Sequence, residues 1–268
     1  MLPITAAVQK ELLPVLERPV IDYVVADCIA AGATNIIFVI RPGSRSLQDY
    51  YVGNPSLESH LKRFKKVKAL EKLEALHDSA TFSFIEQPDG AGYGTAVPLV
   101  VAIPHLPKDD AVLVCAGDAF TWNTDGTSDM AGMVKMFVES NADGAIMGLE
   151  LPDEELHKYG VLGVDKRDGI EYLTEFVEKP APGTAPSNLA NSALYIMTPG
   201  LMKYVLAVKP NQTNGEYYLT DALIAAAKDR QIAIHRATGE WLDAGNIDGW
   251  LHANMTVAKA RPELRPLN

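Results

Sequence analysis

The sequence predicts an α/β fold, a mixed and mainly parallel sheet flanked by helices, with a β-rich part inserted in its second half. Three observations carry this. Short apolar runs alternate with longer runs of helical spacing up to about residue 150, which implies parallel strands joined by right-handed crossovers. Beyond residue 159 the rhythm changes to two alternating runs divided by Asp168-Gly169, a hairpin signature. Between these regions, Val112-Leu113-Val114-Cys115-Ala116-Gly117-Asp118-Ala119-Phe120 reads as a strand buried on both faces that delivers a carboxylate at its carboxyl end.

Taken in order, residues 1–7 carry no clear strand, and Glu11-Leu12-Leu13-Pro14-Val15 reads as a connection into a helix. Residues 19–31 place apolar side chains at helical spacing, with Gly32 positioned to cap them. Residues 35–40 form a buried strand. Residues 57–76, rich in Lys, Glu and Leu, predict one amphipathic helix. Its Lys62, Arg63, Lys65, Lys66 and Lys68 could bind phosphate, but a solvated basic face is the simpler reading. Residues 82–86 alternate as a strand, residues 87–96 form a Gly-rich loop, and an apolar helix follows. A helix over 129–140 and a strand over 144–149 come next. The hairpin pairs 159–165 with 170–178. A strand at 193–197, a helix at 217–229, a strand at 232–237 and a terminal helix at 246–261 complete the chain.

Composition narrows the function. A net charge of -10 argues against broad nucleic-acid binding, while a few local cations suffice for a small anionic ligand. Cys28 and Cys115 sit in apolar stretches and read as reduced, buried thiols, which points to a cytoplasmic protein. The six histidines show no metal-ligand spacing. No apolar run reaches membrane-spanning length and no signal peptide precedes the first element, so no membrane partner is expected.

Several residues carry chemistry. Ligands of open α/β sheets bind beyond the carboxyl ends of the strands, where Gly117 would let a ligand approach the backbone and Asp118 would meet it. An acid there suits a hard cation bound to phosphates, although a turn or helix-capping Asp is equally common. Asp243, in Trp241-Leu242-Asp243-Ala244-Gly245-Asn246, is a second acid between a short strand and a helix, and the two could hold one magnesium ion. Two unrelated turn aspartates are the bland alternative. Glycines 90, 92 and 94 would let a flat ligand or phosphate reach main-chain N–H groups, and the Gln87 amide can read a base edge. Glu178-Lys179-Pro180 offers an acceptor for sugar hydroxyls and a cation for phosphate. Neighbours on a strand point to opposite faces, so this pair needs local distortion to share a ligand. Lys10, Asn191 and Tyr159-Gly160 carry weak signals by spacing alone.

Together these stretches resemble the sugar-nucleotide pyrophosphorylases, or nucleotidyltransferases, and within them the bacterial UTP–glucose-1-phosphate uridylyltransferases. The resemblance rests on Met1-Leu2-Pro3-Ile4-Thr5, Lys10-Glu11-Leu12-Leu13-Pro14, Tyr23-Val24-Val25 with Cys28-Ile29-Ala30-Ala31-Gly32, the 87–96 loop, Val177-Glu178-Lys179-Pro180, Pro186-Ser187-Asn188-Leu189-Ala190, Leu219-Thr220-Asp221-Ala222 and Asp243-Ala244-Gly245-Asn246, in the family's order. It implies a Rossmann-like nucleotide-diphospho-sugar transferase fold in one domain, 1–268. Its parts would be a nucleotide-binding part at 1–150, a sugar-phosphate-binding part at 151–245 and a C-terminal helix at 246–268.

The resemblance implies transfer of uridylyl from UTP to glucose 1-phosphate, giving UDP-glucose and pyrophosphate, with Mg2+ as cofactor, no nucleic-acid partner and room for a homo-oligomer. Lys10 would contact the nucleotide phosphates, Gln87 and Gly92 the uracil, and Gly117 the nucleotide and sugar. Asp118 and Asp243 would hold the metal. Gly160, Glu178 and Asn191 would contact glucose, and Lys179 its phosphate. Lys10, Asp118 and Lys179 form the expected catalytic set. The family's opening strand and G-x-G-T-R loop do not stand ahead of Met1-Leu2-Pro3 here. Met1 is therefore expected to be internal to a longer protein, residues 1–268 alone are expected to turn over weakly, and loss of a central strand is expected to expose apolar surface. A weak or regulatory nucleotide-sugar-binding homologue, or a thymidylyltransferase using dTTP, remain alternatives, since uracil and thymine share a pairing edge.

Overall fold

The computed structural model describes residues 1–261. The chain opens with 3-10 turns at Ile4–Ala6 and Lys10–Leu12, then a small antiparallel pair, β1 (Pro14–Val15) and β2 (Arg18–Pro19). Helix α1 (Val20–Ala30) leads to β3 (Asn35–Ile40), and Gly32 takes the left-handed backbone, φ 97°, that ends α1. Next come α2 (Ser46–Tyr51), α3 (Pro55–Arg63), α4 (Val67–His77), β4 (Thr81–Glu86) and α5 (Val97–Ala102). Strands β5 (Val112–Cys115) and β6 (Ala119–Trp122), helix α6 (Asp129–Ser140), β7 (Gly144–Glu150), β8 (Gly160–Arg167), β9 (Ile170–Glu178) and β10 (Leu189–Met197) follow. The rest is α7 (Met202–Leu206), α8 (Leu219–Ala226), β11 (Ile232–Arg236), β12 (Glu240–Asp243) and α9 (Ile247–Ala260). Of the expected C-terminal part, residues 262–268 lie outside the described residues.

The largest sheet runs β5-β10-β7-β11-β9-β8, and a separate pair, β3 and β4, is parallel. The alternation of strands and helices thus sets β3 beside β4 through a crossover. In the large sheet β7 and β11 are parallel and the other pairings are antiparallel, so the mixed sheet is mainly antiparallel and not mainly parallel as the sequence predicts, because the β8–β9 hairpin and the reversed β10 join it. Period-2 alternation sorts the core. Ala145 and Met147 face one cluster with α1, α6 and α9, while Ile146 faces the other with α5 and α8. Both faces are covered, as an α/β architecture requires.

Several sequence expectations change. The 112–120 stretch is two strands that turn at Ala116-Gly117-Asp118, and all four residues of β5 are only half-buried. The doubly buried strand is β7, enclosed by β10 and β11, whereas among the described residues β5 pairs with β10 alone. Residues 57–76 are not one helix. The chain breaks at Phe64-Lys65-Lys66, with Lys65 at φ 53°, and α2 precedes it unforeseen. The basic residues 62, 63, 65, 66 and 68 are exposed, as a solvated face requires. The strand expected at 193–197 starts at Leu189, because a bulge between Asn191 and Tyr195 masked its alternation. The helix expected at 217–229 is trimmed to Leu219–Ala226, since Tyr217 is held in an extended contact with the Gly-rich loop.

Strands β6 and β12 form a separate antiparallel ribbon that pairs Asp243 with Ala119, next to Asp118. Asp129 anchors it. This buried carboxylate accepts from Thr238 N at 2.8 Å, Thr238 Oγ1 at 2.9 Å, Gly239 N at 3.0 Å and Asn123 Nδ2 at 3.1 Å. Gly239 must lack a side chain, because a Cβ would stand 2.4 Å from Asn123 Oδ1. Burial pushes the Asp129 carboxyl up, but the converging donors outweigh it and hold the group well below the usual carboxylate range. His235 Nε2 lies 3.7 Å from Asp129 Oδ1, beyond hydrogen-bond reach.

Asp129→Ala strands these donors and is expected to cost about 3 kcal/mol, lowering the melting temperature by on the order of 10 °C. Because the folded-state pKa is depressed, the wild-type contribution is present above about pH 4 and fades as the pH falls through the acid range. The Asp129→Ala deficit, measured by denaturant titration, should therefore shrink between about pH 4 and pH 2.

Candidate active site

The ribbon sets the two candidate acids side by side. Register pairs Asp243 with Ala119, and Ala244 N donates to Asp118 O at 2.9 Å. Their carboxylates flank one point: a Cβ on Gly245 would lie 2.7 Å from Asp118 Oδ2 and 2.9 Å from Asp243 Oδ1. Asp243 is held from behind by Gly245 N at 2.9 Å and Asn246 Nδ2 at 3.4 Å. Asn246 also caps α9 by accepting from Gly249 N, which fixes the turn.

Lys10, from the short turn at Lys10–Leu12, reaches the same acids. Its Nζ bonds Asp118 Oδ2 at 2.5 Å, with side-chain exposures of 44% for Lys10 and 18% for Asp118. Burial works against the ammonium charge, but the bond to Asp118 and the fields of Asp118, Glu11 and Asp243 win and lift the Lys10 pKa. Gly117 packs beside this group, its Cβ position 3.0 Å from Ile21 Cδ1 and 3.3 Å from Glu11 Cγ.

The Gly-rich loop docks on the segment before α8. Gln87 N donates to Ile40 O at 2.8 Å, placing Gln87 just beyond the ends of β3 and β4, and its Nε2 donates to Gly92 O at 3.3 Å. Tyr217 N donates to Tyr93 O at 2.8 Å, Ala96 N to Tyr217 O at 3.0 Å, and Leu219 N to Thr95 Oγ1 at 3.0 Å. Glycine is required twice. Gly92 has φ 100° with Tyr217 Cε2 3.1 Å from its Cβ position, and Gly94 has φ 129° with Tyr217 O at 2.3 Å.

The hairpin contributes the other half. Gly160 pairs with Glu178, and its Cβ position falls 2.0 Å from Phe176 Cζ and 2.9 Å from Glu178 Oε2, so only glycine leaves that carboxylate uncovered. Lys179 has φ 46°, and its N donates to Tyr159 O at 3.0 Å. This left-handed residue is the distortion needed to break strand alternation after Glu178. Asn191 Nδ2 donates to Tyr195 OH at 2.9 Å, and Asn191 Oδ1 accepts from Ala193 N at 3.0 Å inside the bulge. Burial, with the Glu178 charge adding to it and the Asn191 bond opposing it, pushes Tyr195 up to about 12. Tyr159 is raised by burial and then by the charge of Asp243.

Contacts join the candidates in two groups. Gly117 lies against Glu11 beside Lys10, Lys10 bonds Asp118, and Asp118 and Asp243 flank Gly245. On the hairpin side Lys179 N donates to Tyr159 O, Glu178 lies against Gly160, and Asn191 bonds Tyr195. Between the groups only the field of Asp243 at Tyr159 is felt. Gln87 joins Gly92 on the Tyr217 side. The basic residues on α3 and α4 make none of these contacts. Spacing did not single out Tyr195 or Tyr217, because an aromatic in a strand or before a helix reads as core. A surface cavity of about 540 Å³ is lined by Ile40, Arg45, Phe84 and neighbours and contains neither Asp118 nor Asp243.

The acid pair fits a hard divalent cation. Two carboxylates share the Gly245 cradle, and no group of three acids, histidines or cysteines suited to a metal occurs among the described residues. Magnesium commonly takes one or two carboxylates and completes its shell with water and phosphate oxygens.

The chain matches the Nucleotidyl transferase family model over residues 1–260. It is 34% identical over 253 residues to the UTP–glucose-1-phosphate uridylyltransferase of Pseudomonas aeruginosa, covering 94% of this chain and 89% of the relative. The enzyme of that name from Bacillus subtilis is 30% identical over 267 residues, covering 98% and 88%. A UDP-glucose pyrophosphorylase crystallised with UDP-glucose superposes with a TM-score of 0.83 at 27% identity, covering 97% of this chain and 94% of that one. A UTP-bound UGPase from Acinetobacter baumannii gives 0.86 at 26% identity, covering 98% and 90%.

Gly94→Ala forces a methyl into the Tyr217 backbone at a strained φ and should cost about 1–3 kcal/mol. Amide exchange at Ala96 and Tyr217 should accelerate while β7 and β11 stay protected; unchanged rates there would show that the loop is not docked as described.

Proposed function

The chain belongs to the nucleotidyl transferase family, and we propose that it transfers the uridylyl group of UTP to glucose 1-phosphate, giving UDP-glucose and pyrophosphate. The observation that carries the reading in this chain is the pair Asp118 and Asp243 about Gly245, with Lys10 bonded to Asp118.

The sugar phosphate oxygen attacks the α-phosphorus in line. A phosphorus–oxygen bond forms there as the bond to the β-phosphate oxygen breaks, and pyrophosphate leaves with the electron pair. Catalysis is then positioning and charge stabilisation, with no covalent enzyme intermediate. Lys10, whose raised pKa keeps it an ammonium, meets the nucleotide phosphates. Gln87 and Gly92 read the uracil edge, and Gly117 leaves room for the nucleotide and sugar. Gly160, Glu178 and Asn191 take the glucose hydroxyls, and Lys179 neutralises the attacking phosphate. Asp118 and Asp243 would hold magnesium, which would supply neutralisation of phosphate charge when bound. No helix among the described residues is long and apolar enough to cross a membrane. We assign the reaction to the cytoplasm, where the two free thiols stay reduced.

The direct test combines UDP-glucose formation from UTP and glucose 1-phosphate, compared with dTTP as donor, and calorimetric binding of UDP-glucose. Absence of both turnover and binding would overturn the reading, and preference for dTTP would redirect it to thymidylyl transfer. Asp118→Asn should lower turnover by at least about a hundredfold with the melting temperature nearly unchanged. Lys179→Ala should weaken glucose 1-phosphate by roughly ten- to a hundredfold and UTP far less, since a charge-assisted phosphate contact is worth about 1.5–3 kcal/mol. Equal weakening of both substrates would assign Lys179 a structural role.

A further inference from the structure

The two cysteines of the chain take no part in the proposed reaction, yet they meet. Cys28 on α1 and Cys115 at the end of β5 stand 87 positions apart, and their sulfurs are 3.8 Å from each other. Met130 Sδ lies 3.6 Å from Cys28 Sγ, so three sulfurs pack together. Both thiols are free; Cys28 is buried and Cys115 keeps part of its surface in solvent. The sulfur contact with Cys28, and then burial, hold the Cys115 thiol well above its ordinary pKa, so little of it is thiolate at neutral pH and its oxidation is slow.

We propose that Cys28 and Cys115 are a modification site, joined by peroxide into an intramolecular disulfide that ties α1 to β5 and strains the turn bearing Asp118. Peroxide first converts the Cys115 thiol to a sulfenic acid and is itself reduced to water. Cys28 sulfur then attacks the Cys115 sulfur, the S–S bond forms, and a second water leaves with the sulfenic oxygen. Two thiols thus give two electrons and two protons to one peroxide, which becomes two waters. The sulfurs must close from 3.8 Å to about 2.05 Å. The turn has little slack to absorb that movement. Gly117, two positions after Cys115, lies against Ile21 of the same helix, and Asp118 follows it.

The experiment exposes the full chain to dilute hydrogen peroxide, blocks free thiols with iodoacetamide under denaturing conditions, and maps peptides. Wild type should give a peptide joining Cys28 to Cys115, and dithiothreitol should remove it. Cys28→Ala and Cys115→Ala should each give no such peptide. This readout is independent of the assigned reaction, so its failure and the failure of that assignment are separable. Two alkylated cysteines after peroxide would overturn the proposal. In parallel, UDP-glucose formation, or UDP-glucose binding, should fall at least about tenfold on crosslinking and recover with dithiothreitol, while Cys28→Ala keeps its activity in peroxide. A crosslink that leaves both unchanged would overturn the coupling to Asp118.

Discussion

Two carboxylates from distant parts of the chain share one cradle, and the rest of the site is arranged about that constraint. Bringing Asp118 beside Asp243 is unfavourable until something offsets their repulsion. The structure supplies three devices. The β6–β12 ribbon fixes the backbone, donors behind Asp243 hold its oxygens, and the Lys10 ammonium neutralises Asp118. Gly245 leaves space between the acids that any larger residue would fill. A cation held by such a pair, or a phosphate drawn to Lys10, would enter a place whose charges are already positioned.

The ribbon in turn depends on Asp129, a buried acid at the start of α6 that gathers donors from the loop before β12. This is a stabilising use of a carboxylate, distinct from Asp118 although both stand at strand or helix ends. Environment separates them. Asp129 is surrounded by donors and sealed from solvent, whereas Asp118 faces a single ammonium beside open space.

The hairpin β8–β9 serves the opposite side by means of backbone irregularity. Regular alternation would send Glu178 and Lys179 to opposite faces. The left-handed Lys179 ends the strand and breaks its alternation, while the bulge in β10 turns Asn191 onto Tyr195. Glycines at 92, 94 and 160 occur where a side chain would strike Tyr217 or Phe176.

Local signals were enough for most elements, because period and punctuation are properties of neighbouring residues. Helix α6, strand β3 and the Asp168-Gly169 hairpin follow from apolar spacing and a turn pair. The ordered motifs were also enough to identify the family and to nominate Asp118, Asp243, Glu178 and Lys179. Tertiary structure decided what local patterns cannot encode. The apolar run at 112–120 reads the same whether it is one strand or two, and only pairing of β6 with β12 divides it. The break at Lys65 and the shortened start of α8 likewise depend on contacts or backbone states that helical spacing does not register. Lys10 is an ordinary lysine until folding brings its ammonium to Asp118. Side-chain convergence is a long-range property, set by strand register and loop docking, and it is what turns separate acids, glycines and lysines into one site.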